Sequence, residues 1–453
     1  MSKGEGAGAS ARACAASADL NAARGGGNEA APGKRPQGCA ESNRRGAAVP
    51  SEGRKTLGLY FHIPFCRSKC AYCDFYSRPA PEQTQAAYVG ALEAEAEKLL
   101  PLAEGYAVES VYVGGGTPSM LPPELFARVL AAAKRFSVSE NAEITAEANP
   151  APLPPELFSL WRRAGVNRLS LGMQSAVEAE LRAVGRRHTF ADVSAAVSAA
   201  RAAGLENVSL DLMLGLPGQS MESALLSLDR ALSLKPEHLS VYCLKLEDGT
   251  PLARLAAAGR VTLPDDELVA EAYLACCERL AAEGLAQYEI SNFARPGFSS
   301  RHNLRYWRRG EYLGIGAAAH SFFGGRRRFF PPDAAAFAAL AAEKGIGWTD
   351  DEPSDAAEEA LILSLRMAGG CSLAEMERLA GGRAAREIGK RLGRLTESGH
   401  ALKTPAGYAL TPRGMLVSNA ILSDLLLALE RCGERRDGGG REKRPPHHTG
   451  QAG

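Results

Sequence analysis

The chain has 453 residues, 45% hydrophobic and 23% charged, which suits a soluble globular protein of two or three domains. A formal net charge of +1 gives no global electrostatic case for nucleic acid or a membrane surface. Ten cysteines without a secretory signal argue for a reducing, cytoplasmic setting and for metal or redox chemistry instead of a disulfide framework, and no run approaches the ~18 apolar residues of a membrane span.

Residues 1–55 are rich in Ala, Gly, Ser and Arg, with no apolar core of a signal peptide, and are expected to be disordered. The first predicted strand, Leu57–His62, runs through Pro64-Phe65 into Cys66, Cys70 and Cys73. The spacing C-x3-C-x2-C offers three thiolates in one short loop. A cubane iron–sulfur cluster has four iron corners, so three thiolates leave one iron open, which marks a reactive site. A zinc site completed by His62 is the weaker reading, because that histidine lies inside the apolar run.

Short β-branched runs then alternate with amphipathic ones. Strands are predicted at Leu57–His62, Ser110–Val113, Ala142–Glu147, Arg168–Gly172, Val208–Met213 and Leu239–Leu244. Helices are predicted at Gln83–Leu100, Pro123–Phe136, Ala191–Ala203 and Ser220–Leu234. This pattern implies a parallel sheet with helical crossovers, and six units make an α/β partial (β/α)6 barrel over residues 56–295, too few to close a ring of eight. Polar or Gly-rich residues end the strands: the cysteine loop, Gly114–Pro118, Glu147–Pro150, Gln174-Ser175, and Asp211 before Gly215–Gly218. In parallel barrels the site is built at that rim. Taken singly, the glycines are a tight turn, Glu147 and Asp211 are helix caps, and Arg186 is an exposed cation. Functionally, bare backbone admits a ligand's polar end, acids suit an amine or ribose, and Arg186 matches a carboxylate.

Residues 296–348 carry His302-Asn303-Leu304-Arg305-Tyr306-Trp307 and a second histidine, His320. A lone histidine is usually a satisfied core or surface group, yet neutral imidazole is the usual axial haem ligand, and Tyr306 and Trp307 offer aromatic packing. Residues 349–431 read as three helices, a hairpin turning at Pro405-Ala406-Gly407 and a last helix, which resembles a winged helix. Residues 432–453 are expected to be disordered.

In this order the blocks closely resemble the radical S-adenosylmethionine (SAM) coproporphyrinogen-dehydrogenase family. They are Tyr60-x-His62-Ile63-Pro64-Phe65-Cys66, Gly114–Pro118, Glu143–Pro150, Gly172–Ser175, Asp211–Gln219, Gln287–Ala294 and His302–Trp307. The resemblance implies that Cys66, Cys70 and Cys73 ligate a [4Fe–4S] cluster, and that Tyr60, Gly116, Thr117, Glu147, Gln174, Arg186 and Asp211 contact SAM. Its dehydrogenase branch has a fourth cysteine where this chain has Phe75. The His302 block resembles that of the other branch, the HemW-type haem chaperones, implying haem near His302, Tyr306 and Trp307. Expected partners are haem, haem-acceptor proteins at or away from a membrane surface, and an electron donor. Coproporphyrinogen III dehydrogenation by SAM-dependent decarboxylation is the enzyme alternative, and a DNA- or partner-binding regulator the distant one. The family has glycine where Ala318 stands.

Overall fold

A computed structural model of the chain describes residues 54–433, apart from 151, 152 and 155. Of the N-terminal extension expected to be disordered, residues 1–53 fall outside the described residues, while Lys55, expected to end it, opens the first strand; the tail beyond Gly433 also falls outside, and Cys432, expected to open that tail, lies within the final helix. The chain forms two compact units, dividing between Pro353 and Ser354.

The first unit is organised by six parallel strands in sequential order: β1 (Lys55–Ile63), β2 (Tyr106–Gly115), β3 (Val138–Ala148), β4 (Arg168–Gln174), β5 (Asn207–Leu214) and β6 (His238–Cys243). Their crossovers are α1 (Glu82–Leu99), α2 (Pro123–Lys134), α3 (Glu156–Ala164), α4 (Glu178–Ala183), α5 (Phe190–Ala202) and α6 (Met221–Ser233). Sequential order with a helix between neighbours is the partial radical-SAM barrel that the sequence implies. The strands form because both faces are covered; all seven residues of β4 are buried. Polar chemistry fixes the helix starts. Thr189 and Asp192 make a capping box at α5, and Ser220 with Ser223 does the same at α6.

Beyond β6 come α7 (Pro251–Ala257), α8 (Asp266–Ala282), β7 (Ala286–Glu289), β8 (Asn292–Ala294) and the short helix α9 (Arg301–Trp307). The chain then returns to the opposite edge as β9 (Tyr312–Ile315), β10 (His320–Phe323), β11 (Arg326–Phe329), α10 (Ala334–Ala342) and β12 (Thr349–Asp350). β9 pairs in parallel with β1, so β9 to β12 extend the sheet beyond β1, and with β8 and β7 beyond β6 the sheet has twelve strands.

The second unit holds α11 (Ala356–Leu365), β13 (Cys371–Ser372), α12 (Leu373–Ala380), α13 (Gly382–Glu397), the hairpin β14 (Ala401–Lys403) and β15 (Gly407–Leu410), α14 (Pro412–Leu416) and α15 (Ser418–Gly433). Three helices with a three-stranded sheet, in which β13 pairs with β15 of the hairpin, give the winged-helix-like arrangement. Its α13 is strongly amphipathic, burying Ala384, Ala385, Ile388 and Leu392 and exposing Lys390.

Candidate functional site at the barrel rim

The cysteine loop leaves β1 at Ile63 and is held at its base by two backbone bonds, Cys66 N to Arg78 O (3.2 Å) and Arg78 N to Pro64 O (2.9 Å). Farther out, Ala71 N donates to Val184 O (3.0 Å), while Leu252 N donates to Ala71 O (2.8 Å). Ala71 and Tyr72 pack on Val184, Leu216 and Leu252. The loop therefore rests on segments that follow β4, β5 and β6, with its three thiols only partly covered.

Hydrogen bonds run around the rim from there. Cys66 Sγ lies 3.3 Å from Thr117 Oγ1, Asn149 Nδ2 donates to that hydroxyl (3.1 Å), and Arg186 Nη1 donates to Asn149 Oδ1 (2.8 Å) and to Gly172 O (2.8 Å). Arg186 Nη2 then meets the Tyr72 hydroxyl at 3.2 Å, back in the cysteine loop, and the same guanidinium approaches Cys70. Burial pushes the Tyr72 phenol up to about 12 against the pull of Arg186, so it stays protonated. Tyr72 and Asn149 were not among the site residues expected from sequence. Asn149 stands inside a quoted motif and Tyr72 between two cysteines, but only the fold shows their contacts.

Glycines 114–116 form the next wall. Gly116 N donates to Ile63 O (2.8 Å), and a Cβ there would stand 2.7 Å from Ile63 O and 2.8 Å from the Phe65 backbone. Gly115 holds φ at +109° and gives its N–H to Glu147 Oε2 (3.0 Å), whose other oxygen accepts from Tyr112 (2.7 Å). Burial, with Asp211 adding repulsion, raises Glu147 to about 7 despite the Tyr112 bond. Asp211 is raised for the same reason of burial, opposed by its bonds to Ser240 and Ser170. Gln174, at φ +63°, and Arg186 bring buried polar atoms to this rim, and Gln174 Oε1 and Arg186 Nε have no hydrogen-bond partner among the described residues. Tyr60 faces the same interior, its hydroxyl on His62 Nδ1 (2.9 Å).

These residues fit the two groups that the resemblance implies. Three thiols on one loop suit separate corners of a cluster. Both ring nitrogens of His62, the histidine of the zinc alternative, lie against Tyr60 Oη and the Tyr76 carbonyl. Buried acids and unpartnered amide and guanidinium atoms answer a ligand with an amine, a carboxylate and ribose hydroxyls.

The His302 block lies elsewhere. Glu143, mid-way along β3, receives Arg301 N (3.0 Å), His302 N (3.1 Å) and Ser300 Oγ (3.4 Å), which fixes the start of α9. Ser110, four residues before the Gly114 rim, bonds His302 Nδ1 at 2.9 Å, and Tyr306 bonds Nε2 at 2.7 Å. Arg305 reaches Thr56 O and Glu109 near the strand starts. Helix α9 thus stoppers the end of the barrel away from the cysteine loop. His302 is 0% exposed, and burial lowers it to about 3. Both ring nitrogens are engaged, one by Ser110 and the other by Tyr306. Tyr306 packs on His302 and Tyr312, and Trp307 closes α9, half-buried.

A fold of this kind, with three thiols on the loop after its first strand, defines the radical-SAM class, and the Radical SAM superfamily model matches residues 60–231. Coproporphyrinogen III oxidase (HemN) from Escherichia coli, described as a radical SAM enzyme, superposes with a TM-score of 0.70 at 24% identity, over 83% of this chain and 90% of that one. Heme chaperone HemW of Bacillus subtilis is 36% identical over 372 residues, 81% of this chain and 98% of that protein. Heme chaperone HemW of Mycobacterium tuberculosis is 37% identical over 381 residues, 82% and 95% respectively. The chain belongs to the HemW family of radical-SAM proteins.

Proposed function

We propose that the chain binds haem and passes it to acceptor proteins, while Cys66, Cys70 and Cys73 hold a [4Fe–4S] cluster whose open iron binds SAM. The carrying observation is the likeness to haem chaperones along nearly their whole length, on a chain with Phe75 at the place of the dehydrogenase branch's extra cysteine. Phe75 is 69% exposed beside the loop, a residue with no thiol to offer.

A bound cluster would supply one-electron chemistry to SAM. The protein's part is to seat the loop on Val184, Leu216 and Leu252, to leave room with Gly116, and to present Glu147, Gln174, Arg186 and Asp211 to the ligand's polar groups. Tyr60 and Thr117 complete that wall. An electron donor and cytoplasmic acceptors, including ones at a membrane surface, are the partners this reading calls for. Among the described residues no helix is long and apolar enough to cross a membrane.

Anaerobic reconstitution, haem titration and a coproporphyrinogen decarboxylation assay on one preparation test the proposal. About four irons per chain, saturable haem binding and no decarboxylation are expected. The Cys66→Ala, Cys70→Ala, Cys73→Ala triple variant should lose iron and sulfide together. Robust SAM-dependent decarboxylation would move the protein to the enzyme reading.

A further inference from the structure

The three glycines of the rim differ in what they do, and the first makes room for a bond between two side chains. A Cβ on Gly114 would stand 2.8 Å from the Tyr112 ring and 2.9 Å from the Glu147 carboxyl group. With that position bare, the Tyr112 hydroxyl donates to Glu147 Oε1 at 2.7 Å. The two residues meet from neighbouring strands. Tyr112 stands opposite Thr145, and Glu147 lies two residues farther along β3, on the face that Thr145 shares. The other oxygen, Oε2, accepts from Gly115 N at 3.0 Å. β2 therefore holds both oxygens and fixes the plane of the carboxylate. An ionised carboxylate has about four acceptor sites, so these two bonds leave the rest to a ligand, and Glu147 is only half-buried.

Charged and titratable groups face Glu147 from each neighbouring element. Asp211 of β5 repels a negative charge there, whereas Arg168 of β4, itself 1% exposed, attracts one. The phenols of Tyr60 on β1 and Tyr306 on α9 also interact with it, and burial keeps both protonated. Tyr112 stays a phenol too, raised by burial and by Glu147 itself. The histidines behind these rings, His62 on Tyr60 and His302 at 5.2 Å from the Tyr112 ring, are neutral at pH 7 because burial lowers them. Burial and Asp211 oppose the ionised Glu147, the bonds from Tyr112 and Gly115 favour it, and the balance falls at about 7. Near neutrality, one hydrogen bond decides how much of Glu147 is charged.

We propose that Tyr112 is a positioning residue of the SAM site: its hydroxyl holds the Glu147 carboxylate ionised and oriented to accept the N–H or O–H groups of the bound ligand. This rests on the SAM-binding reading of the rim and adds a residue that the resemblance does not supply. Protonation turns one oxygen of Glu147 into a donor and removes acceptor capacity toward an amine or ribose hydroxyls. SAM affinity should therefore rise with pH through about 7. Tyr112 acts on it only through Glu147.

The test uses the full chain with its cluster reconstituted, and SAM binding is measured by calorimetry between about pH 5 and about pH 9. The Glu147 carboxyl is titrated in the same chain without SAM, by infrared difference spectroscopy, its band assigned by its loss in Glu147→Gln. In Tyr112→Phe the midpoint of both profiles should rise by about one unit, since a hydrogen bond to the charged form is lost. SAM binding then weakens about fivefold at pH 7 and changes little at about pH 9. A merely structural tyrosine would alter affinity alike at every pH. Glu147→Gln should flatten the binding profile. A midpoint left in place by Tyr112→Phe, with iron content and circular dichroism preserved, would overturn the proposal, as would a pH profile that survives in Glu147→Gln. If Tyr112→Phe loads less iron, the carboxyl titration decides by itself. No SAM binding by the unaltered chain at any pH would sink the SAM reading and the ligand named here together, and the carboxyl titration separates that failure from a failure of the coupling of Tyr112 to Glu147.

Discussion

Ala318 holds φ at +61°, in the left-handed region that a Cβ disfavours, while its N–H donates to Pro331 O at 3.0 Å. The turn between β9 and β10 needs that conformation, and the family's glycine adopts it without strain. Ala318→Gly should therefore stabilise the protein by about 1 kcal/mol, read as a rise in Tm of about 2 °C in a thermal melt. Glu289 poses a different problem. It is fully buried, accepts from Ser291 N and the Asn292 amide, and burial raises it to about 7. An acid raised in the folded state costs nothing while protonated in both states, and its burial destabilises increasingly as pH climbs from its unfolded value through 7. In Glu289→Gln that cost disappears. Between about pH 5 and about pH 8 the unfolding free energy of the variant should gain roughly 2–3 kcal/mol on the wild type, measured by urea titration.

At the scale of elements, the loop from β2 governs the cysteine loop from β1. A Cβ at Gly116 would meet only backbone, at Ile63 and Phe65, so neither neighbour has a flexible end to give way. Gly116→Ala should cost about 2 kcal/mol and lower iron incorporation, checked by denaturation and iron analysis on the same protein. The six parallel strands were readable because long apolar runs ended in polar motifs, and each observed strand overlaps its expected one, as Leu57–His62 does Lys55–Ile63. β10 and β11 were not readable. They are four residues each, and Arg326-Arg327-Arg328 looks like a solvated loop until Asp350 and the Phe322 and Trp348 rings are placed beside it. The packing of α9 was not readable either. His302, Tyr306 and Trp307 form a ligand-like string, and the groups that occupy His302 come from β2 and from the helix itself, Ser110 lying 192 residues away in sequence.

For the molecule as a whole, every residue assigned to cluster, SAM or haem lies before the division at Pro353 and Ser354. A chain ended after Pro353 should keep full iron content and the SAM-induced change in the cluster's EPR signal. Loss of haem delivery to an acceptor with haem binding retained would assign the second unit to handover. The basic residues of α13 do not form a pure cationic face: Arg391 is paired with Glu387 and Asp424. That pairing argues against nucleic acid as the partner of this unit.

The seating of the cysteine loop also sets an order of events during synthesis. The three thiols emerge early, yet Ala71 finds its anchors at Val184 and Leu252, the second roughly 180 residues later. At translation speeds of about 5–20 residues per second, the loop waits roughly 10–40 s without its seat. Cluster loading belongs after that interval, once the nascent chain has passed β6, and oxidants present during the wait meet three thiols not yet shielded by the fold.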